Sequence, residues 1–125
     1  MINRFFYSAS QGYMVINADD SGVIHMDLPA DATEITERPG ELYTWDGTQW
    51  VAPSQAEIDA AAAAAIRAER DLKLATEVDP IVMNSLRWNS MTAEQQQAWA
   101  DYRTALLDIP QQAGFPHNVI WPTKP

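Results

Sequence analysis

The spacing of hydrophobic and polar positions changes once along the chain, close to Pro53. Before that residue, short apolar runs such as 2–7 and 12–18 are separated by turn-forming residues, which is typical of β-strands. After it, apolar residues recur at helical spacing among good helix formers. The pattern predicts an α+β fold, with a small antiparallel β region followed by a long alanine-rich helix and a C-terminal helical segment.

Within the β region, the turn cluster at 19–22 separates the run 12–18 from a further β-rich run at 23–28. These two runs could form a hairpin, because turn residues lie between two strand-like segments. The next stretch, 29–40, ends in Pro-Gly and is predicted to be a loop with little regular structure.

A clearer hairpin is centred on the Asp-Gly pair at 46–47. Asp-Gly supplies the two positive-φ positions that a type I′ turn needs. That turn would set Trp45 opposite Thr48 and Tyr43 opposite Trp50. The alternation of side chains in a strand then puts the three aromatic residues on one face.

The long helix is predicted from a capping box at 54–57, directly after Pro53. No stop signal appears before Asp79-Pro80, so the helix should run over about 55–78. Its apolar stripe is thin and mostly alanine, consisting of Ile58, Ala62, Ala65, Leu72 and Ala75. Such a stripe buries little area, so the helix is expected either to link two halves of the chain or to contact another molecule. The alanine run 60–65 would allow close approach of a second helix, or is simply rich in good helix formers.

Beyond Pro80, a short helical segment is predicted to end at 89–90, and a second capping box at 92–95 opens a helix to about Asp108. On this helix the apolar residues share one face, which consists of Trp99, Tyr102, Leu106 and Ile109. The last residues of the chain contain several prolines and are predicted to form an extended tail. The predicted organisation is a β-rich region over 1–53, a connecting helix over 54–79, and a helical region with an extended tail over 80–125.

Charge and composition narrow the functional classes. The chain has 125 residues, no cysteine, and 17 Asp and Glu against 8 Lys and Arg, for a formal charge of −9. This charge has the wrong sign for nucleic acid or anionic membranes as partners. The longest apolar run, 60–66, is too short to span a membrane, and the N-terminus lacks the pattern of a signal peptide. A soluble intracellular protein is expected.

Catalytic patterns were not found in the sequence. His25 and His117 lie in unrelated segments, and neither has a partner at metal-ligand spacing on a helix. Phosphate-binding loops, dinucleotide fingerprints and nucleophile elbows are also missing. We therefore predict no catalytic, cofactor-binding or metal-binding residues, and expect that the protein is not an enzyme.

The aromatic residues of the hairpin have two interpretations. Tyr43, Trp45 and Trp50 could form a flat platform for a sugar ring or a protein partner. They could instead pack as core against the first strands, as large apolar side chains usually do.

The most specific pattern lies near the C-terminus. A helix carrying W-x-x-Y-R-x-x-L-x-D-I-P from Trp99 is followed by G-F-P-x-x-V-x-W-P-x-x-P from Gly114. These motifs resemble those of the phage tail fibre assembly and tail assembly chaperone-like proteins. The resemblance extends over about 66–125, and the hairpin motif Y-x-W-D-G-x-x-W, beginning at Tyr43, is similar to an element often found upstream. Leu107 departs from this family, whose members commonly have a basic residue there.

The resemblance implies a chaperone that binds a phage tail fibre protein, through the fibre's C-terminal region, and assists its folding and trimerisation. No cofactor is implied. The expected location is the host cell cytoplasm during phage assembly, with retention on the virion tail as a further expectation. The alternatives are a structural tail or fibre component that forms homo-oligomers through the long helix, and a carbohydrate-binding module.

The predicted partner-binding residues come from the two C-terminal motifs and the hairpin. They are Trp99, Tyr102, Arg103, Phe115, Pro116, Trp121, Pro122, Tyr43, Trp45 and Trp50. The competing interpretation is that the tail folds back on its own helix, with Trp121 covering Trp99 and Tyr102.

Overall fold

The computed structural model describes all 125 residues and has the predicted α+β fold. The chain divides into two compact units, Met1–Ser54 and Gln55–Pro125. Strands are confined to the first unit and helices to the second. None of the helices is both long and apolar enough to cross a membrane.

The first unit is built on a three-stranded antiparallel sheet with the strand order β2-β1-β3. β1 (Ile2–Ser8) and β2 (Gly12–Ala18) form a hairpin that is paired from Ile2 opposite Ala18 to Ser8 opposite Gly12. One face of this hairpin holds Phe6 and Ile16, which are buried. The two runs at 2–7 and 12–18 therefore pair with each other.

The predicted strand at 23–28 is wrong. The Asp19 carboxylate accepts hydrogen bonds from the backbone N–H groups of Ser21 and Val23, both at 2.9 Å, which folds the start of this segment into a turn. The third strand is β3 (Thr33–Glu34), inside the stretch predicted to be a loop. It pairs with β1, and Arg4 fastens it by two hydrogen bonds to Glu34 at 2.8 and 2.7 Å.

The second hairpin forms with a different register from the predicted one. β4 (Thr44–Trp45) and β5 (Trp50–Val51) set Trp45 opposite Trp50, with a four-residue loop between them. Asp46 Oδ1 accepts hydrogen bonds from the backbone N–H groups of Thr48 and Gln49 at 2.9 and 2.8 Å. This side chain closes a wider loop, so the two-residue type I′ turn does not form. Within this loop, Gly47 is the one residue with a positive φ.

The second unit begins with a nearly continuous helical path. α1 (Gln55–Lys73) is followed by a π-helical turn (Leu74–Val78) and by α2 (Asp79–Val82). Pro80 does not stop this path because it lies in the first turn of α2, where its missing N–H is not needed. The path ends at Met83, and Asn84 caps the next helix by accepting a hydrogen bond from the Arg87 N–H at 3.1 Å.

The remaining helices are α3 (Ser85–Ser90) and α4 (Ala93–Leu107), followed by a 3₁₀ turn (Ile109–Gln111). α3 includes Ser90, so the break predicted at 89–90 lies slightly later, at 91–92, and an additional break at 83–84 separates α3 from α2. The capping box at the start of α4 is confirmed. The Gln95 N–H donates to Thr92 Oγ1 at 3.1 Å, and the Thr92 N–H donates to Gln95 Oε1 at 2.9 Å.

The core of the second unit consists of Val78, Tyr102, Leu106 and Ile109. Three of these four come from the face predicted for α4, and Trp99 on that face is partly buried against them. The stripe predicted for α1 is not the face that packs, since Leu72 is 62% exposed while Ile66 and Leu74 contact the core. The π-helical turn brings Val78 into this core.

Candidate functional site

The C-terminal tail folds back through a compact turn at 113–117. The Asn118 N–H donates to the Gly114 carbonyl at 2.7 Å, which closes the turn. A Cβ atom at Gly114 would lie 2.1 Å from the Asn118 carbonyl oxygen, so this close approach requires glycine. The first glycine of the C-terminal motif therefore has a structural role.

Gln112 fixes the last part of the tail. Its Nε2 donates to the Ile120 carbonyl at 2.8 Å, and its Oε1 accepts from the Ile120 N–H at 2.7 Å. From residue 119 onward the chain has no regular secondary structure, so these two bonds replace the missing backbone ladder. Phe115, Val119 and Trp121 are thereby held against the core.

Three charged side chains of α1 each contact a different residue of the tail. The guanidinium carbon of Arg67 lies 5.2 Å from the ring centre of Phe115, and Lys73 Nζ lies 5.5 Å from that of Trp121. Asp59 Oδ1 lies 2.6 Å from His117 Nε2. The imidazole of His117, with the Gln55 amide, holds the pKa of the Asp59 carboxyl below its ordinary value.

Tyr102 connects α4 to the π-helical turn. Its hydroxyl donates a 2.5 Å hydrogen bond to Glu77 Oε2, and its ring meets that of Trp99 edge to face, with the centres 6.0 Å apart. Burial, together with this carboxylate, raises the pKa of Tyr102 to about 12. Tyr102 is 4% exposed, so its side chain is a core group.

A stripe along the edge of the buried face of α4 runs from partly buried to exposed positions. Trp99, Arg103 and Leu107 follow each other at intervals of four residues and lie along one side of the helix. We call these three residues the α4 stripe. Arg103 is exposed and forms no hydrogen bond or ion pair within the chain, and Leu107 is 40% exposed. The stripe therefore combines a partly exposed indole, a guanidinium without a partner and a leucine.

A shallow cavity of about 420 Å³ lies between α4 and the tail turn. Its lining residues include Ala105, Asn118, Ile120 and Pro122. Ile120 is 82% exposed, so an apolar side chain stands at the edge of this groove.

The structure distributes the predicted C-terminal residues over three environments. Tyr102 is buried and Arg103 is exposed. The others are partly buried, namely Trp99, Phe115, Pro116, Trp121 and Pro122. The tail packs on its own helices, as the competing interpretation required, while leaving part of each aromatic surface accessible.

The predicted aromatic residues of the hairpin lie in the first unit. The ring centres of Trp45 and Trp50 are 5.3 Å apart, and the ring of Trp50 meets that of Tyr13 on β2 edge to face at 5.2 Å. Trp50 Nε1 also donates to the Thr36 carbonyl at 3.2 Å. Tyr43, Trp45 and Trp50 are all partly buried, and Trp50 packs against the first hairpin.

The charged residues on the helical path 55–82 that contact α4 and the tail were missed by sequence reasoning. Asp59, Arg67 and Lys73 on α1 contact the tail, and Glu77 in the π-helical turn accepts the hydrogen bond from Tyr102. Their spacing of eight, six and four residues keeps them within one broad side of a helix, and this was the available signal. No group of three or more His, Asp and Glu side chains in the chain is placed to hold a metal ion.

Comparison with known families adds a match to the second unit. A family model described as phage tail assembly chaperone protein matches residues 63–125, about half of the chain. Searches of curated proteins and of solved structures each found no match.

Proposed function

We propose that this chain, which belongs to the phage tail assembly chaperone protein family, binds a tail fibre protein and assists its folding and trimerisation. Membership of the family implies interaction with phage tail proteins and a role in assembly rather than catalysis. The observation that carries the proposal is that the family match lies entirely within the unit Gln55–Pro125. The tail fibre as partner, its C-terminal region as the part bound, and trimerisation as the outcome are our inferences.

The α4 stripe supports this proposal because it combines an accessible hydrogen-bond donor with apolar surface. Arg103 has no partner in the chain, so its guanidinium can donate to carboxylates or carbonyls of another protein without first breaking a contact. Trp99 and Leu107 flank it with apolar surface, and aromatic and arginine side chains are enriched among residues that dominate binding. The exposed part of Trp121 and of Phe115 extends the proposed surface onto the tail.

Chaperone action would take place where tail proteins are made, which we propose is the host cell cytoplasm. Retention on the finished virion is tested separately from chaperone action. Purified particles analysed by mass spectrometry contain this chain only if it remains after assembly.

The proposed function is tested by co-expression. The cognate tail fibre is produced with and without this chain, and soluble fibre trimer is measured by sedimentation and by resistance to dissociation in detergent. We expect trimer to form only, or much more abundantly, when the chain is present. Equal trimer yield in both cultures would contradict the proposal. The matched control is co-expression with a variant of the α4 stripe, Arg103→Ala.

A structural component of the tail is a second candidate, favoured by the outer face of α1. Ala65, Ala68 and Leu72 lie on this face at intervals of three and four residues, and all are exposed. Small exposed residues allow a second helix to approach closely, so this face could hold copies of the chain together in the particle. Stoichiometric recovery of the chain in purified tails would favour this candidate over a transient chaperone.

A further inference from the structure

β2 forms an open edge of the sheet in the first unit. The strand order β2-β1-β3 leaves one side of β2 without a neighbouring strand. Its pairing with β1 is unbroken over all seven residues, so no bulge twists the edge away. No hydrogen bond from elsewhere in the chain reaches the outer backbone groups of β2.

The sequence of this edge lacks the usual features that prevent pairing. Edge strands are commonly protected by charged side chains, by proline or by a bulge. Residues 11–18 contain no charged residue and no proline, although the surrounding region 1–53 carries eight Asp and Glu. Val15 at the centre of the strand is 50% exposed. An uncharged strand of seven residues with unpaired N–H and C=O groups is a template for another strand.

We propose that β2 pairs with β2 of a second copy of this chain, antiparallel and centred on Val15. The two three-stranded sheets then join into one continuous sheet of six strands. In this register Val15 lies opposite Val15 of the other copy, Met14 lies opposite Ile16, and Tyr13 lies opposite Asn17. Each pair joins two odd-numbered or two even-numbered residues. Residues whose backbone N–H and C=O groups point away from β1 are therefore paired with residues of the same orientation in the other copy, so hydrogen bonds can form between them.

The charge distribution favours a second copy over a different partner strand. Two copies of so acidic a region would repel each other if their carboxylates met across the ladder. In the proposed register Asp19 lies opposite Gln11 and Asp20 opposite Ser10, so acidic residues meet uncharged polar ones. A basic partner strand would find no carboxylate on β2 itself to pair with.

The test compares two valine substitutions. Val15→Lys places two lysines opposite each other at the centre of the proposed interface, whereas Val23→Lys introduces the same charge at a residue that is also 50% exposed but lies outside β2. Sedimentation velocity over a range of protein concentrations should show a concentration-dependent dimer for the parent chain and for Val23→Lys. For Val15→Lys we expect a dissociation constant raised by at least about tenfold.

A charge-swap experiment tests the register and controls for folding. Val15→Glu should also be monomeric alone, and an equimolar mixture of Val15→Lys and Val15→Glu should recover a dimer containing both chains. This recovery requires folded variants, so it separates interface loss from unfolding.

Three results would overturn the proposal. The first is a parent chain that stays monomeric at all concentrations. The second is a dimer that Leu72→Lys on α1 dissociates and Val15→Lys does not. The third is a Val15→Lys variant with unchanged self-association but weakened capture of the tail fibre, which would assign the edge to the fibre.

Discussion

The hydrogen bond from Tyr102 to Glu77 connects the buried face of α4 to the π-helical turn. Replacing Tyr102 by Phe keeps the ring in the core but leaves the Glu77 carboxylate without its donor. We expect the free energy of unfolding to fall by about 1–2 kcal/mol, as for other hydrogen bonds to charged groups that are not fully buried. Denaturant titration measures this loss. Tyr43→Phe, at a half-buried tyrosine whose hydroxyl has no partner in the chain, should change stability little.

The same residue predicts a pH dependence. The pKa of Tyr102 is raised from 10.0 to about 12 in the folded chain, so the folded state holds this proton more tightly than the unfolded state does. The associated stabilisation is complete below pH 10.0 and is lost as the pH rises towards about 12. The difference in stability between the parent chain and Tyr102→Phe should therefore shrink over that interval. A difference that stays constant up to the upper pH would contradict the raised pKa.

Arg103 provides the residue-scale test of partner binding. Arg103→Ala removes an exposed side chain that forms no hydrogen bond, ion pair or ring contact in its own chain, so its melting temperature should match that of the parent. Capture of the tail fibre should weaken by about tenfold or more, since an arginine at a contact commonly contributes more than 1 kcal/mol. Arg103→Lys should recover only part of the binding, because an ammonium cannot reproduce a planar donor fork.

Arg87→Ala is the matched control for Arg103. Arg87 is also an exposed helical arginine whose side chain forms no hydrogen bond, ion pair or ring contact, but it lies on α3. Its replacement should leave fibre capture unchanged. Equal loss of binding in both variants would indicate a general effect of charge on an acidic protein and would contradict a specific contact at Arg103.

At the element scale, the tail turn depends on the close approach at Gly114. Gly114→Ala would bring a methyl group against the Asn118 carbonyl at 2.1 Å, and backbone cannot move aside as a flexible side chain does. We expect a loss of about 1–3 kcal/mol, as for other overpacked sites. Gly40→Ala in the first unit is the control, since its Cβ would meet a Tyr43 ring atom at 3.3 Å. Thermal melts that show equal effects for the two changes would contradict this account.

The elements that the sequence predicted correctly are those specified by local signals. The capping box at Thr92 and the inward face of α4 depend on residues three or four positions apart. The wrong turn at 46–47 and the wrong strand at 23–28 each result from hydrogen bonds of a single aspartate side chain. Asp46 and Asp19 each bind backbone N–H groups two or more residues ahead, and this widened one loop and replaced a predicted strand. The sequence alone does not distinguish the two outcomes, because an aspartate at either position suits both the predicted and the observed local structure.

The candidate site was predictable only in part for a related reason. The motif residues of α4 and the tail could be named from the sequence, but their exposure depends on how the tail returns across α1. Contacts such as Lys73 with Trp121 join residues far apart in the chain, and periodicity carries no information about them. The partial burial of Phe115 and Trp121 was therefore visible only in the structure.

At the scale of the whole molecule, the two units carry different kinds of surface. The unit Gln55–Pro125 contains the entire family match and the α4 stripe, whereas Met1–Ser54 lies outside the match and presents the open edge of β2. Binding of a tail protein and pairing of two copies can therefore be changed separately by mutation. The variants Arg103→Ala and Val15→Lys should each affect one property and leave the other intact.

Trp121 is where stability and function of the whole molecule meet. Its indole packs against the core and lies beside Lys73, yet it is only partly buried. Trp121→Ala should lower the free energy of unfolding by about 3 kcal/mol, at the lower end for removal of a large core side chain. We also expect weaker capture of the fibre's C-terminal fragment at temperatures where the variant is folded. Trp121→Phe, which keeps a ring on the core, should recover most of the stability, so that melting curves and fibre pull-downs on the same samples separate the two roles. Reduced melting stability with normal fibre capture would show that the tail only supports the fold, and the partner contact would then belong to the α4 stripe alone.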